Sequence, residues 1–217
     1  MSAEQAPSQN QSRRPTRARI LDVCQQLFNE SGPLAVTTAE IALAAGIQEG
    51  NLYYHFNKKE QILEALFADF ESALRDAAVA DLAHGDKPER FALYMSGWFS
   101  LMWEWRFIYR DGAAVCSLAP SLLSRIESLA DEVQRNVRRV LDNMQTVGLL
   151  KATPTQMEQL VVNGWIVSTY WIDYLRSRHG INAITREHIS WGAAQVMGLF
   201  EPFLTSKGLG VVSIAAA

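Results

Sequence analysis

Residues 37–60 read TTAEIALAAGIQEGNLYYHFNKKE, and their spacing predicts two short helices joined by a tight turn. Thr37 and Glu40 stand at the separation of a capping box, in which each side chain bonds the backbone N–H of the other residue. Gly46 suits the left-handed conformation that often ends a helix. The first short helix therefore begins at Thr37 and ends before Gly46, and the second covers about residues 48–55.

The sequence before these two helices completes a three-helix unit. An apolar stripe at helical spacing begins after Thr16 and stops at Gly32, which predicts a preceding helix with Cys24 on its buried face. A helix over residues 48–55 would be about 10–12 Å long, and a DNA major groove is about 12 Å wide. Three helices in this order are typical of a helix-turn-helix unit.

The rest of the chain also has helical periodicity. A long helix opens near Asn57–Glu60, and further helical segments follow a break at Gly85–Pro88, ending at Gly148, near residue 178 and near residue 204. No segment alternates as a strand would. The sequence predicts an all-α fold with a flexible tail at 1–12, a helix-turn-helix domain at 13–60, a larger helical domain at 61–206 that the long helix joins to it, and a flexible tail at 207–217.

The composition is that of a globular protein with a core. Apolar residues make up 48% of the chain and charged residues 20%, which excludes disorder throughout. The longest charge-free stretch, residues 159–172, is too short to cross a membrane, and residues 1–12 contain no signal-like apolar run. Cys24 and Cys116 lie far apart, without metal-ligand spacing or a disulfide framework. These features predict a cytoplasmic protein without membrane association.

Charge is distributed unevenly along the chain. The formal net charge is −3, yet residues 13–59 hold six basic and four acidic side chains, so this segment is +2 and the remainder is −5. A basic amino-terminal segment favours an anionic partner there.

The sequence does not indicate catalytic or metal chemistry. The four histidines, His55, His84, His179 and His188, show no pairing at the spacing of metal ligands on a helix. A glycine-rich phosphate loop would follow a strand, and no strand is predicted. We therefore expect no catalytic residue, no metal ligand and no cofactor.

A set of short motifs lies in order over about residues 16–66. The motifs are Gly32, Thr37-Thr38, Ile41-Ala42, Ala45-Gly46-Ile47, Gly50-Asn51-Leu52-Tyr53-Tyr54-His55-Phe56 and Lys59-Glu60. This pattern closely resembles the amino-terminal signature of the TetR family of transcriptional regulators. The resemblance implies a helix-turn-helix followed by a helical domain that binds a small effector and dimerises, with no catalytic site.

The resemblance also implies which residues contact DNA. It makes the helix over residues 48–55 the recognition helix, and the residues that it assigns to DNA contact are Thr37, Thr38, Glu49, Gly50, Asn51, Tyr53, His55 and Lys59. We add Tyr54 from the same helix. Arg17 and Arg19 are added as part of a basic arm at the start of the first helix. Arg13 and Arg14 belong either to a DNA-contacting arm or to a mobile basic tail. Glu49 would repel phosphate unless it accepts a hydrogen bond from a cytosine amino group.

Four residues in or next to this helix also have a structural interpretation. We expect Leu52 and Phe56 to be core residues. One of the two tyrosines, Tyr53 or Tyr54, should pack against the first helix as core.

The larger domain is rich in aromatic residues, which either fill its core or line an apolar pocket. The candidate ligand-binding residues are Trp98, Trp103, Phe107, Arg110, Trp165 and Tyr170. Arg110 either pairs with Asp111 or binds a carboxylate or phosphate on a ligand. The stretch Phe107–Asp111 resembles a subgroup of TetR-type repressors linked to polyhydroxyalkanoate or fatty-acid metabolism, which implies an acyl-type effector.

The last two helices are apolar on nearly all sides and therefore need cover on all sides. They either complete the core of one subunit or form a homodimer interface, and the family resemblance favours the homodimer. The combined prediction is a ligand-responsive regulator, most simply a repressor, that binds a pseudo-palindromic DNA operator and is released by a small apolar or acyl-type effector. The alternative is a helical interaction or ligand-binding protein whose helix-turn-helix does not act on DNA, in which case DNA binding would lack the salt dependence of phosphate contacts.

Overall fold

The computed structural model describes residues 15–83 and 90–215, and side chains over residues 15–77 and 96–210. The helices are α1 (Thr16–Ser31), α2 (Thr38–Ala44), α3 (Glu49–His55), α4 (Lys59–Ala83), α5 (Arg90–Glu104), α6 (Arg106–Arg110), α7 (Gly112–Leu118), α8 (Leu123–Thr146), α9 (Pro154–His179), α10 (Arg186–Phe200) and α11 (Ser206–Ala215). Over these ranges the β structure amounts to one isolated bridge between Leu150 and Leu204, so the all-α prediction is confirmed. The predicted tail at 1–12, Arg13, Arg14 and the break at Gly85–Pro88 lie outside the described residues.

Local sequence signals set the ends of several helices. Thr37 with Glu40 and Thr153 with Gln156 form complete capping boxes at the starts of α2 and α9, as the sequence predicts. Gly46 and Gly180 follow α2 and α9 at φ values of 63° and 67°, where a side chain would be strained. A third capping box, Thr185 with His188, begins α10.

The helix-turn-helix unit is built on a shared core of α1, α2, α3 and α4. Cys24 is fully buried there, and burial raises the pKa of its thiol to about 12, which confirms that it is a core residue. Leu52 and Phe56 are buried as predicted. The prediction for the tyrosines is wrong, because Tyr53 is 44% exposed and Tyr54 84%. Leu52 and Phe56, four residues apart, already occupy the inward face of α3, so the tyrosines between them turn outward.

The larger domain has a second core, in which α9 packs closely on α10. A Cβ at Gly192 would lie 2.7 Å from the Trp171 ring, and one at Gly164 would lie 3.3 Å from the Phe200 ring. These two glycines therefore permit close approach within the subunit.

Two elements differ from the sequence prediction. The helical stretch over residues 90–110 is broken at Trp105, and Gly112–Leu118 forms the separate helix α7. Residues 206–215 form α11, whereas a flexible tail was predicted from residue 207. The first turn of α11 packs directly against the backbone of Leu149. A Cβ at residue 208 would lie 2.2 Å from the Leu149 carbonyl oxygen, so only glycine allows this approach.

Candidate nucleic-acid interface and ligand cavity

The outer face of α3 is exposed and polar. Gly50, Asn51, Tyr53 and Tyr54 are exposed, and His55 is half-buried with its ring 5.3 Å from that of Tyr54. The Asn51 side-chain amide makes no hydrogen bond to any described part of the chain. An asparagine amide offers one acceptor and two donors, which match the edge of an adenine.

Glu49 connects the beginnings of α2 and α3. The Thr38 hydroxyl donates a 2.7 Å hydrogen bond to Glu49 Oε1, and the Tyr53 hydroxyl donates to the same oxygen at 3.4 Å. The Thr37 hydroxyl is used in its capping box with Glu40. Both threonines that the resemblance assigns to DNA contact are thus hydrogen-bonded within the protein.

Lys59 ties the beginning of α4 to the loop between α1 and α2. Its ammonium group donates to the carbonyl oxygens of Pro33, at 2.8 Å, and Val36. Burial lowers the pKa of Lys59 below its ordinary value. An ammonium has three N–H donors, so one remains for a phosphate. Lys58, which the sequence interpretation did not select, is 73% exposed and pairs with Glu60 only at 3.9 Å.

The two arginines of α1 have different positions. The Arg17 guanidinium lies over the Phe56 ring, 4.8 Å from its centroid, and the residue is exposed beside the carboxyl end of α3. Arg19 is half-buried, and its Nε has no hydrogen-bond partner among the residues described. Arg17 is therefore the better placed of the two for an external contact.

A cavity of about 790 Å³ lies among α4 to α9. Of the six predicted ligand-binding residues, it is lined by Trp98, Arg110, Trp165 and Tyr170. Trp103 and Phe107 lie outside this cavity, so the structure does not place them with the other four. The Trp103 ring is covered by the Arg106 and Arg186 guanidinium groups. The Phe107 ring packs edge-on against Phe28, with centroids 5.6 Å apart.

Further walls of the cavity come from residues that the sequence pattern marks only as apolar: Phe67, Phe70, Leu74, Ile126, Leu129 and Val133. Core and cavity-lining residues share the same helical spacing, so periodicity does not separate them. Their role follows from the space between the helices.

Arg110 and Asp111 form the ion pair that was one of the two predicted alternatives. Arg110 donates to Asp111 Oδ2 from Nε at 2.9 Å and from Nη2 at 2.6 Å. The same guanidinium donates at 2.8 Å to the carbonyl oxygens of Phe28 and Asn29. These carbonyls belong to the last turn of α1, where a helix leaves carbonyls without partners and a cation is favourable.

Asn29 makes a second connection at the same place, which sequence reasoning missed. Its side chain donates to the Glu104 carbonyl at 2.7 Å and accepts from the Phe107 N–H at 3.1 Å. The end of α1 is thereby fixed to the junction of α5 and α6. The available signal was a polar residue next to Phe28 on the buried face of a helix.

The outer face of α9 carries an exposed apolar stripe, which we define as Val162, Ile166, Tyr170 and Tyr174. The four side chains are 48–56% exposed and recur every fourth residue, so they lie on one side of the helix. Tyr174 stacks on Trp191 of α10, with ring centroids 6.1 Å apart. All four side chains nonetheless remain about half exposed among the described residues of one subunit.

The described part of the chain has neither a metal site nor a membrane-spanning helix. No group of three His, Cys, Asp or Glu side chains there is placed to hold a metal ion. Every helix in the described ranges is also too short or too polar to cross a bilayer.

A helix-turn-helix unit with an exposed third helix, followed by a helical domain with a cavity, is the architecture of a DNA-binding transcriptional regulator. The family model described as "Bacterial transcriptional repressor" matches residues 69–211, and the model described as "Bacterial regulatory proteins, tetR family" matches residues 20–66. The chain belongs to the TetR family of transcriptional regulators. Regulators of this family are not enzymes, so the prediction that this chain is not an enzyme is confirmed by its family.

Individual relatives agree with this assignment. The chain is 25% identical to the HTH-type regulator YvkB of Bacillus subtilis over 69% of this chain and 66% of YvkB. It is 41% identical to the repressor KstR2 of Mycolicibacterium smegmatis over 31% of this chain and 32% of KstR2. The matched stretches thus span less than two thirds of these curated relatives.

Solved structures extend the likeness over most of the chain. A TetR-family regulator from Marinobacter aquaeolei VT8 has a TM-score of 0.80 at 25% identity, covering 94% of this chain and 98% of that one. The ketosteroid regulator KstR2 of Mycobacterium tuberculosis has a TM-score of 0.65 at 20% identity, covering 88% and 96%, and supports the fold alone.

Proposed function

We propose that the protein is a homodimeric repressor that binds a pseudo-palindromic operator through α3 and is released by a small apolar or acyl-type ligand in the cavity. The observation that carries the proposal is the role of α6. This helix contributes Ile108, Tyr109 and Arg110 to the cavity wall, and Arg110 also caps the end of α1. A ligand that moves α6 therefore acts directly on the DNA-binding unit.

The operator contact rests on the exposed face of α3. Asn51 offers a free amide to a base edge, while Arg17, Lys58 and Lys59 supply cations at the margins of the helix-turn-helix unit for phosphate. Phosphate contacts position the protein, and base contacts select the sequence. The site of action would then be the cytoplasm, where bacterial DNA lies.

The homodimer rests on the apolar stripe of α9. Four half-exposed apolar side chains in a row, extended by Trp191, make a larger apolar surface than scattered exposed residues do. A two-fold axis through this stripe would bring α9 and α10 of two subunits into a four-helix bundle. Two copies of α3 would then read two half-sites of one operator.

Ligand response follows if the two helix-turn-helix units of the dimer have two preferred distances from each other. Arg110 donates to the end of α1 and Asn29 accepts from the Phe107 N–H, so both bonds fix α1 to α6. A shift of α6 would then change the orientation of the helix-turn-helix unit relative to the dimer. A ligand that binds one orientation more tightly shifts the population toward it.

The test is a fluorescence-anisotropy titration of the purified protein against DNA that flanks its own gene, with a random duplex as control and salt varied. We expect selective binding that weakens linearly in log salt, because phosphate contacts release counterions. Mass spectrometry of the denatured sample checks whether the purified protein carries a bound ligand. Ligand-free protein that binds both duplexes equally and without salt dependence would contradict the proposal and favour a helix-turn-helix that does not act on DNA.

A further inference from the structure

The cavity carries charged side chains at one end, and the protein pairs them internally. The cations are Arg110 and Arg176 and the anions are Asp111 and Asp173, so the charges of the described lining residues sum to zero. Arg110 commits four of its five N–H groups to Asp111 and to the end of α1. Arg176 donates to Asp173 and, at 3.1 Å, to the Arg110 carbonyl oxygen.

A ligand anion would therefore meet two carboxylates as well as two guanidinium groups, with no net positive charge to hold it. Arg176 is 44% exposed and stays beside Asp173, so water and that carboxylate both weaken its attraction for an anion. Withdrawing Arg110 from its partners would remove the cap from α1. A carboxylate or phosphate that enters the cavity loses water that this lining replaces poorly, so binding it costs more free energy than binding a neutral ligand of the same shape.

Uncharged polar groups are available at the same site. The hydroxyls of Ser117 and Thr169 line the cavity, and neither makes a hydrogen bond to any described residue. A hydroxyl donates to a carbonyl and accepts from another hydroxyl, so either kind of ligand oxygen can be satisfied. The cavity is also lined by four aromatic side chains, Phe67, Phe70, Trp98 and Trp165.

We infer that the cavity takes a neutral, largely apolar ligand, whose polar groups are uncharged oxygens such as carbonyl or hydroxyl, and that it discriminates against anions. The inference rests on the proposed function, in which this cavity holds the effector. It narrows an acyl-type effector to an uncharged one, such as an ester, and excludes a free fatty acid or a thioester with an anionic carrier.

Two dyes with one ring skeleton test the inference. N-phenyl-1-naphthylamine is neutral, 8-anilinonaphthalene-1-sulfonate adds a sulfonate, and both brighten in apolar surroundings. We expect the protein to bind the neutral dye about ten-fold or more tightly, because the sulfonate would lose water at a site whose lining has no net positive charge. Ala130→Trp places a bulky side chain in the cavity from α8 and should strongly weaken that binding, which separates it from binding on the exposed stripe.

A charge substitution then tests the cause. Asp173→Asn releases Arg176 and gives the lining residues a net positive charge. We expect several-fold tighter binding of the sulfonate dye and unchanged binding of the neutral dye. Asp142→Asn is the matched control, because it removes an aspartate that pairs with Arg138 on the exposed face of α8, outside the cavity lining.

Each result has a distinct meaning. If the unaltered protein binds the sulfonate dye as tightly as the neutral dye, at a site that Ala130→Trp removes, the charge inference is overturned while an effector cavity stands. If Asp173→Asn changes neither affinity more than Asp142→Asn does, internal pairing is not the cause of discrimination and the inference fails. If neither dye binds up to its solubility, both the inference and the proposed effector site are lost.

Discussion

The Thr38 hydroxyl on the first turn of α2 donates a 2.7 Å hydrogen bond to the carboxylate of Glu49, the first residue of α3. This bond joins the two short helices on the side of the unit that faces outward. It also keeps a negative charge at the leading edge of the proposed recognition helix. The charge opposes binding to any DNA, while the bond holds α3 in a fixed orientation relative to α2.

Replacing Glu49 separates these two effects. Glu49→Gln removes the charge and keeps an oxygen that accepts from Thr38, so we expect about two- to ten-fold tighter binding to a random duplex at low salt. Thr38→Val is the comparison, since it removes the bond and keeps the charge, and it should not tighten random binding. Anisotropy titrations at several salt concentrations measure both. A loss of binding confined to the operator would show instead that Glu49 accepts from a base.

Asn51 and Lys59 should affect DNA binding in different ways. Asn51→Ala should cost on the order of 1–3 kcal/mol on the operator and little on random DNA, if the free amide pairs with a base. Lys59→Ala should weaken binding to all sequences and reduce the salt slope by about one per subunit. Titration of both variants on both duplexes decides the matter. Equal losses for Asn51→Ala on operator and random DNA would remove it from the base-reading residues.

Structural features whose causes lie within a few residues of each other could be predicted from the sequence. The capping boxes at Thr37 and Thr153 lie within four residues of the bonds they make, so the starts of α2 and α9 were predictable. Arg110 bonds carbonyls about 80 residues earlier in the chain, and its choice between Asp111 and a ligand stayed open until these partners were known. The same holds for Gly208, whose close contact is the backbone of Leu149.

The candidate site residues also differ in whether local or long-range contacts determine their position. The exposed face of α3 follows from motif and periodicity, because Leu52 and Phe56 define its inward side. Periodicity did not distinguish Trp165, which lines the cavity, from Phe107, whose ring packs from α6 against Phe28 of α1. Both are aromatic residues at helical spacing, and only the packing of helices that are distant in sequence distinguishes a cavity-lining residue from a core residue.

Removing Asn29 should loosen the junction between the two parts of the chain. Asn29→Ala leaves the Glu104 carbonyl and the Phe107 N–H without this partner in a part-buried place, so we expect the free energy of unfolding to fall by about 1–3 kcal/mol. Gln25→Ala is the matched control, because Gln25 donates to the same Glu104 carbonyl from a more exposed position and should cost less than about 1 kcal/mol. Urea denaturation gives both values, and equal costs would contradict a special role for Asn29.

The buried thiol of Cys24 predicts a pH dependence of stability. Its pKa rises from an ordinary value of 9.0 to about 12 in the folded protein, so the unfolded chain loses this proton first. The resulting stabilisation is complete below pH 9 and is lost as pH rises toward about 12, with a slope of up to about 1.4 kcal/mol per pH unit. Denaturation series from about pH 8 to about pH 11 on the protein and on Cys24→Val should diverge with pH. Parallel curves would mean that the thiol is not the cause.

The apolar stripe on α9 predicts the effect of a single charge on assembly. Ile166 is 48% exposed at the middle of the stripe, and Ile166→Asp would place two carboxylates near each other across a two-fold axis. We expect the dimer dissociation constant to rise by about 100-fold or more, since each unpaired buried charge costs at least as much as a lost hydrogen bond. Light scattering should then give the mass of one subunit at concentrations where the unaltered protein gives that of two.

The control for this change is Leu123→Asp, which places the same charge at a 50% exposed apolar residue at the start of α8, outside the stripe. It should leave the mass and the operator affinity unchanged. Ile166→Asp should weaken binding to a two-half-site operator but not to an isolated half-site, because each α3 remains intact while the link between the two reading heads is lost. A dimer that survives Ile166→Asp and dissociates with Leu123→Asp would move the interface from α9 to the beginning of α8.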